Sequence, residues 1–355
     1  MKAPHTLIYG SYVQDLLFRV DKFAVEGQTV VGKFSAGPGG KGSNQAIACH
    51  RSGGSVLFKG AVGDDLYGQY AIDFYKKEGL PADFTVLSGH TTGVASITVN
   101  HQSQNQIVVS LGANGECQLE QAEFEEFLSR HPSLRLVAVQ LETKFETLEN
   151  LISTAHVRGL RVILNPAPVS DRLCMDILRK CFLITPNESE FVVMLRIIPE
   201  WSAIPHPQLD VLRTSPIAAA VERLKTYQSG EWLQIFDALQ LSHVLVTLGS
   251  KGSVYFNKRS DSSLLIETGC IPVKAVDSTG AGDAFMGGLC TGIEKYHMQQ
   301  NSDPECISRV LKYAAVTAGL SVTKSGAALS MPTEEEIKAA LATAIEQHLV
   351  VVPRQ

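Results

Sequence analysis

The chain lacks the features that mark membrane, nucleic-acid-binding and metal-centred proteins. No window approaches ~18 unbroken apolar residues, the length that suggests a bilayer-spanning helix. The opening stretch "MKAPHTLIYGS" has too short an apolar run for a secretory signal, so a cytoplasmic location is expected. Lysine and arginine form no cluster and the net charge is −5, so no nucleic-acid partner is expected, nor a membrane one. The seven cysteines (Cys49, Cys117, Cys174, Cys181, Cys270, Cys290 and Cys306) are scattered and odd in number, without a C-x-x-C pair. That pattern argues for free thiols, most of them buried, rather than a disulfide framework or a zinc site. None of the ten histidines stands at metal-ligand spacing from a cysteine or another histidine, which argues against a catalytic transition metal. Repeats and low-complexity tracts are also missing.

What is present is a globular α/β pattern. The 355 residues are 45% hydrophobic and 19% charged, enough for a sizeable core in one large domain or two ordinary ones. "TLIYGS", "SVLFKGAVG", "RLVAVQL", "RVILNPAP", "CFLITPN" and "HVLVTLGS" are short, β-branched-rich runs, each leading into a turn and usually a helix. Such alternation predicts a parallel sheet covered by helices on both faces.

Two regions break the rhythm. Residues 16–37 and 91–114 read as hairpins without intervening helices, and predict a small antiparallel sheet apart from the main one. From residue 280 the chain reads as helical, with "PTEEEIKAALATAIEQHL" opening on a threonine and glutamates suited to a helix N-terminus. The stretch 191–242 is longer than one crossover needs, and "PEWSAIPHPQLDVLRTSP" within it reads as an inserted loop.

Two glycine-rich turns compete for a phosphate. In "GPGGKGSNQA" (37–46), Gly37, Gly39 and Gly42 spell G-x-G-x-x-G, and Asp64 and Asp65 follow at about the ribose-binding distance of a dinucleotide fold. That reading needs the first glycine right after a core strand, and the first core-like strand ends near Gly10 instead. A P-loop needs serine or threonine after Gly-Lys, where this chain has Gly42. The second turn, in "VKAVDSTGAGDAFMGG" (273–288), follows an expected strand. It places Gly280, Ala281 and Gly282 at a helix start with Asp283 in the first turn. Exposed backbone N–H groups at the positive end of a helix suit an anion. A tight turn with an aspartate stabilising the helix end would use the same residues.

Together, "GGKGSNQA" and "DSTGAGDAF" resemble the two signature motifs of the ribokinase (PfkB-type) family of carbohydrate kinases. "GDDLYGQY", "TGVASITVN", "LGAN", "QLE", "NPAP", "TPNESE", "VTLGSKG" and "VTKSGAALSMP" follow in the family's order along nearly the whole chain. The resemblance implies that the first motif grips a sugar, through Gly39, Gly40, Lys41 and Asn44, with Asp15 and Glu142 as further contacts. It implies that Asp283 is the base and that Gly280, Ala281 and Gly282 supply the anion hole. At a helix N-terminus Asp283 would be a weak base, its charged form favoured by the dipole. ATP would meet Asn187, Thr247, Gly249, Gly252, Gly280 and Gly282. Asn187 and Glu190 would organise Mg2+ through its waters. Asp277, Thr279, Ser321, Lys324, Gly326 and Ser330 would surround K+, several through backbone carbonyls. Val13 departs from the asparagine common in ribokinases, so a contact near the sugar 2-hydroxyl is missing.

The implied fold is a three-layer α/β/α sandwich with a central, mostly parallel sheet and a small β-sheet lid. Residues 1–11, 37–89 and 112–355 would form the core; 12–36 and 90–111 would form the lid, through which two copies pair as a homodimer. The implied reaction is ATP-dependent phosphorylation of D-ribose at O5. The alternatives are a 2-deoxyribose or nucleoside kinase of the same family, a non-catalytic sugar or nucleotide sensor, and, from the 37–42 fingerprint, a dinucleotide-dependent oxidoreductase.

Overall fold

The computed structural model describes residues 3–102, 104–260 and 262–342, together with the backbone of 347–353. Its strands are β1 (Thr6–Tyr9), β2 (Val13–Arg19), β3 (Lys33–Gly39), β4 (Val56–Gly63), β5 (Ala82–Leu87), β6 (Gly93–Val99), β7 (Asn105–Ser110), β8 (Leu136–Val139), β9 (Arg161–Leu164), β10 (Leu183–Ile184), β11 (His243–Thr247), β12 (Ser253–Lys258), β13 (Ser262–Thr268) and β14 (Gln347–Pro353). Ten strands form one sheet in the order β14-β13-β12-β11-β10-β9-β8-β1-β4-β5. From β5 to β11 neighbours run parallel, in register Thr6↔Val56 and Thr6↔Leu136. β12, β13 and β14 extend one edge antiparallel. Every residue of β1, β4 and β8 is buried, as strands covered on both faces must be.

Helices cover the sheet on two sides. One core gathers Phe124, Leu151, Phe191 and Phe236; the other gathers Ile47, Phe58, Leu289 and Tyr313. In the second, the helices Lys41–Arg51 and Ala281–Lys295 pack backbone to backbone. A Cβ on Gly287 would lie 2.4 Å from Ala48 Cβ, so the small residues set the approach, as their sequence suggested. Among the described residues no helix is long and apolar enough to cross a membrane. The seven cysteines are free: Cys49, Cys117 and Cys290 are buried, Cys270 is exposed, and the others are half-buried.

Four sequence expectations are corrected. The small sheet, ordered β3-β2-β6-β7, is mixed rather than antiparallel, because β2 and β6 pair parallel at its centre. The chain runs through β3, β4 and β5 between them, enough to return in the same direction. The segment read as an inserted loop is helical, at Pro199–Ser202, Pro207–Thr214 and Ile217–Leu224. Pro199 and Pro207 sit at helix starts, where a missing N–H costs nothing, and Trp201, Leu209 and Leu212 are buried. No strand precedes Asp277: the N–H groups of Val276 and Asp277 both donate to the Val322 carbonyl, and Val276 is exposed. At the C-terminal end, the expected capping box of Thr333 and Glu336 opens a helix that stops at Ala340. Residues 343–346 lie outside those described, and 347–353 form a strand on β13 instead of continuing the helix.

Candidate active site

The site lies beyond the C-terminal ends of the parallel strands, where α/β sheets hold ligands. β1 delivers Ser11, β8 delivers Gln140 and Glu142, β9 delivers Asn165, β10 delivers Thr185 and Asn187, and β11 ends on Thr247. The helices Lys41–Arg51 and Ala281–Lys295 bring their N-termini to the same place, because Asn44 Nδ2 donates to Asp283 Oδ2 at 2.9 Å. Two positive helix ends therefore converge. Between them lies a cavity of about 200 Å³ whose walls include Lys41, Asn187, Glu190, Thr247 and the turn Gly280–Asp283.

Asp283 is 8% exposed, and its other oxygen accepts from Gln45 Nε2 at 3.1 Å. Burial pushes its carboxyl above the usual range, against the pull of Lys41 and of the Asn44 and Gln45 amides. The helix dipole led us to expect a weak base; removal from water outweighs it, and the aspartate is the stronger base for it. Burial would draw the Lys41 ammonium down, but Asp283, Glu142 and Glu190 outweigh it and hold the pKa above its ordinary value.

The late turn leaves donors free. Among the described residues, the N–H groups of Gly280, Gly282 and Asp283 have no hydrogen-bond partner, whereas that of Ala281 donates to the Ser278 carbonyl at 3.2 Å. The free amides are therefore 280, 282 and 283, a set shifted from the expected 280–282.

Beside this turn sit the expected sugar contacts. Glu142 Oε2 accepts from Ser11 Oγ at 2.6 Å and from the Lys41 N–H at 2.9 Å, which locks the early loop to β8. The Asp15 carboxyl lies over Gly39, where a Cβ would come within 2.3 Å of it. It makes no hydrogen bond among the described residues; burial, then Glu142 and Asp283, push it up to about 7. Asn44 Oδ1 is likewise buried without a partner. An unpaired carboxyl and an unpaired amide oxygen each suit a hydroxyl donor, although neither Asp15 nor Asn44 lines the cavity itself.

Asn187 caps the helix Glu188–Ile197 in a reciprocal box with Glu190, whose Oε1 and Oε2 accept from Asn187 Nδ2 and N at 2.8 Å each. Burial pushes Glu190 up to about 7 despite these bonds and the pull of Lys41. Of the other expected nucleotide residues, Thr247 lines the cavity, while Gly249 and Gly252 lie in the turn beyond it. A Cβ on Gly252 would lie 1.9 Å from the Thr268 carbonyl, so this glycine serves packing.

Of the six expected potassium positions, Thr279 and Gly326 bond directly to Asp277. Its carboxylate accepts from Thr279 N and Oγ1 at 3.0 and 2.7 Å and from Gly326 N at 3.0 Å. Burial would raise its pKa, but these bonds hold it below the usual range. The hydroxyls of Ser321 and Ser330 donate to carbonyls of their own segments, and Lys324 pairs with Glu336 at 2.6 Å.

Several site residues were not singled out from the sequence. Gln45 joins Asp283 to Asn165, accepts from Gln140 at 2.5 Å, and Asn165 in turn donates to the Thr185 carbonyl at 2.9 Å. The signal was there, since Gln45, Gln140 and Asn165 lie within "GGKGSNQA", "QLE" and "NPAP". Ser278, Phe285 and Met286 also line the cavity. The dinucleotide reading fails on geometry, because Gly37 and Gly39 lie inside β3 of the small sheet rather than after a core strand.

A profile of the family described as pfkB family carbohydrate kinase matches residues 3–334. The ribokinase of Schizosaccharomyces pombe is 33% identical, over 93% of this chain and 96% of the relative. The deoxyribokinase of Salmonella typhi is 30% identical, over 93% and 96% respectively. The solved ribokinase of Giardia lamblia aligns at a TM-score of 0.76 and 30% identity, covering 96% of this chain and 99% of that one. With both motifs at one cavity and this similarity along its length, the chain belongs to the pfkB family of carbohydrate kinases.

Proposed function

We propose that this chain transfers the γ-phosphoryl group of ATP to O5 of D-ribose, giving D-ribose 5-phosphate and ADP. The observation that carries the reading is the bond between Asn44 and Asp283, which joins the sugar motif to the phosphoryl motif. In this reading Asp15, Asn44 and the early loop hold the ring hydroxyls, with Glu142 fixing that loop. Asp283 takes the proton of the primary hydroxyl as O5 bonds to the γ-phosphorus and the bond to the β-phosphate oxygen breaks. Phosphoryl transfer is largely dissociative, so the proton can leave late. The free amides of Gly280, Gly282 and Asp283 stabilise the charge on the migrating group. Thr247 and Lys41 both line the cavity, where Thr247 would meet the nucleotide and Lys41 the phosphates.

Magnesium fits at Glu190 and Asn187: Glu190 is a carboxylate raised by burial, and a nearby cation relieves that penalty. Both oxygens already accept a bond, which favours contact through metal-bound water. Among the described residues no group of three or more His, Cys, Asp or Glu could hold a metal alone, so the phosphates complete the ligand set. When bound, the metal neutralises phosphate charge. The Asp277 carboxylate, held charged beside Thr279 and Gly326, suits potassium, which would stiffen the turn that presents the amides.

The small sheet would act as a lid that excludes water. Its exposed Phe18, Phe34, Ile107 and Val108 suit pairing with a second copy, and a cytoplasmic location suits both substrates. A second reading, 2-deoxyribose as substrate, is favoured by Val13, which is buried opposite Gly39 and cannot hydrogen-bond. Coupled turnover across ribose, 2-deoxyribose, fructose and adenosine is the test. Ribose should give the highest kcat/KM; turnover of adenosine or fructose alone would refute the proposal.

A further inference from the structure

A second cavity, of about 310 Å³, opens at the opposite end of the central strands, where the parallel strands begin. His5 precedes β1, Arg135 precedes β8 and Arg161 starts β9, so three basic side chains stand side by side on neighbouring strands. The backbone sets that spacing: the Arg135 N–H donates to the His5 carbonyl at 2.9 Å, and the Arg161 N–H to the Arg135 carbonyl at 3.1 Å. His297, past the end of the helix Ala281–Lys295, and Gln299 complete the polar wall.

Neither arginine has a carboxylate partner among the described residues. Arg135 Nη1 donates to the carbonyls of Pro132 and Leu134, at 2.7 Å each, and Arg161 Nη1 donates to that of Met298. The Arg161 guanidinium also lies 5.6 Å from the Phe182 ring centre. Both forks are thus held in place with donors to spare. Glu294 is the nearby acid, and its Oε2 already accepts from the Ser55 N–H at 2.9 Å. His5 Nδ1 is buried without a partner. Burial holds the His5 imidazole below its ordinary range; Glu294 opposes this, and Arg161, Arg135 and His297 add to it.

Oriented arginine forks without a carboxylate match the oxygens of phosphate better than those of a neutral ligand. The volume exceeds that of the catalytic cavity and is more than a bare ion fills. We infer that this cavity is a second ligand site, which binds a phosphate monoester through Arg135, Arg161, His5 and His297. The phosphate faces the two arginines, and the esterified portion takes the rest of the cavity.

Calorimetric titration of the full chain with glycerol 3-phosphate tests this, beside inorganic phosphate and glycerol. The wild type and the active-site variant Lys41→Met should bind the ester equally. The Arg135→Gln/Arg161→Gln variant should bind it at least ~10-fold more weakly, with unchanged ribose turnover. Arg135→Gln alone, at an exposed position, should give a smaller loss of the same sign and covers the case in which the double variant misfolds. Four results would overturn the inference: no binding by the wild type, equal binding by Arg135→Gln and the double variant to the wild type, loss in Lys41→Met instead, or binding of inorganic phosphate without the ester.

Discussion

The two glycine-rich turns contain similar residues for opposite reasons. In the early loop glycine is forced by crowding: a Cβ on Gly42 would come within 2.6 Å of the backbone of Gly10 and Ser11. In the late turn a Cβ on Gly282 would meet nothing within 4 Å. The protein fills the space beside the first and leaves the space beside the second empty. The fold therefore accounts for glycine at 42, whereas at 282 it leaves the room that the proposed phosphoryl transfer would use. A glycine pattern alone does not say which applies, and the neighbours do.

The largest effect should come from the acid of the open turn. Asp283→Asn should lower kcat by ~10²–10⁴-fold, the scale of a positioned base, with ribose affinity largely kept. Near-normal turnover would remove the base from the account. Gly42→Ala should instead act on folding, lowering stability by ~1–3 kcal/mol through overpacking in a denaturant titration. An unchanged midpoint would mean that the early loop has slack and that the contrast fails. Gly282→Ala should leave Tm level or slightly raised, since alanine suits a helix start better than glycine, yet cost at least ~10-fold in kcat. Full activity in that variant would show that the empty space is not the path of the phosphoryl group.

The smallest effect concerns pH. Asp15 is pushed up to about 7 in the fold by burial and by Glu142 and Asp283, two carboxylates that also raise Lys41. A carboxyl with a raised folded pKa favours the fold while protonated. Its contribution is full below the unfolded value near 4 and is lost as pH rises towards 7. Asp15→Asn should therefore flatten the fall in Tm of the ligand-free protein between pH 4 and 7. An identical slope in both proteins would show that Asp15 ionises freely.

Much of this contrast was legible from the chain. β1, β4, β8, β9 and β11 stood out because strands buried on both faces must be continuous apolar runs. Asp283, Asn44 and Lys41 were found because they belong to two long motifs. What the sequence hid was long-range. The parallel pairing of β2 with β6 depends on contacts across the chain, which a local hairpin pattern cannot report. Gln45 and Asn165 meet across 120 positions. Trp201 and its helices were missed because prolines that open helices read locally as loop residues. The raised pKa of Asp283 came from burial, which a helix-terminus argument does not contain.

The most direct test of the central claim, that both turns serve one reaction, is a double-mutant cycle on Asn44→Ala and Asp283→Asn, read as kcat/KM for ribose with ATP. Their side chains meet at 2.9 Å although they lie 239 positions apart. The expected result is strong non-additivity, with a coupling of ~1 kcal/mol or more. Losses that add to within ~0.3–0.5 kcal/mol would mean that the two residues work independently, and would contradict the single site.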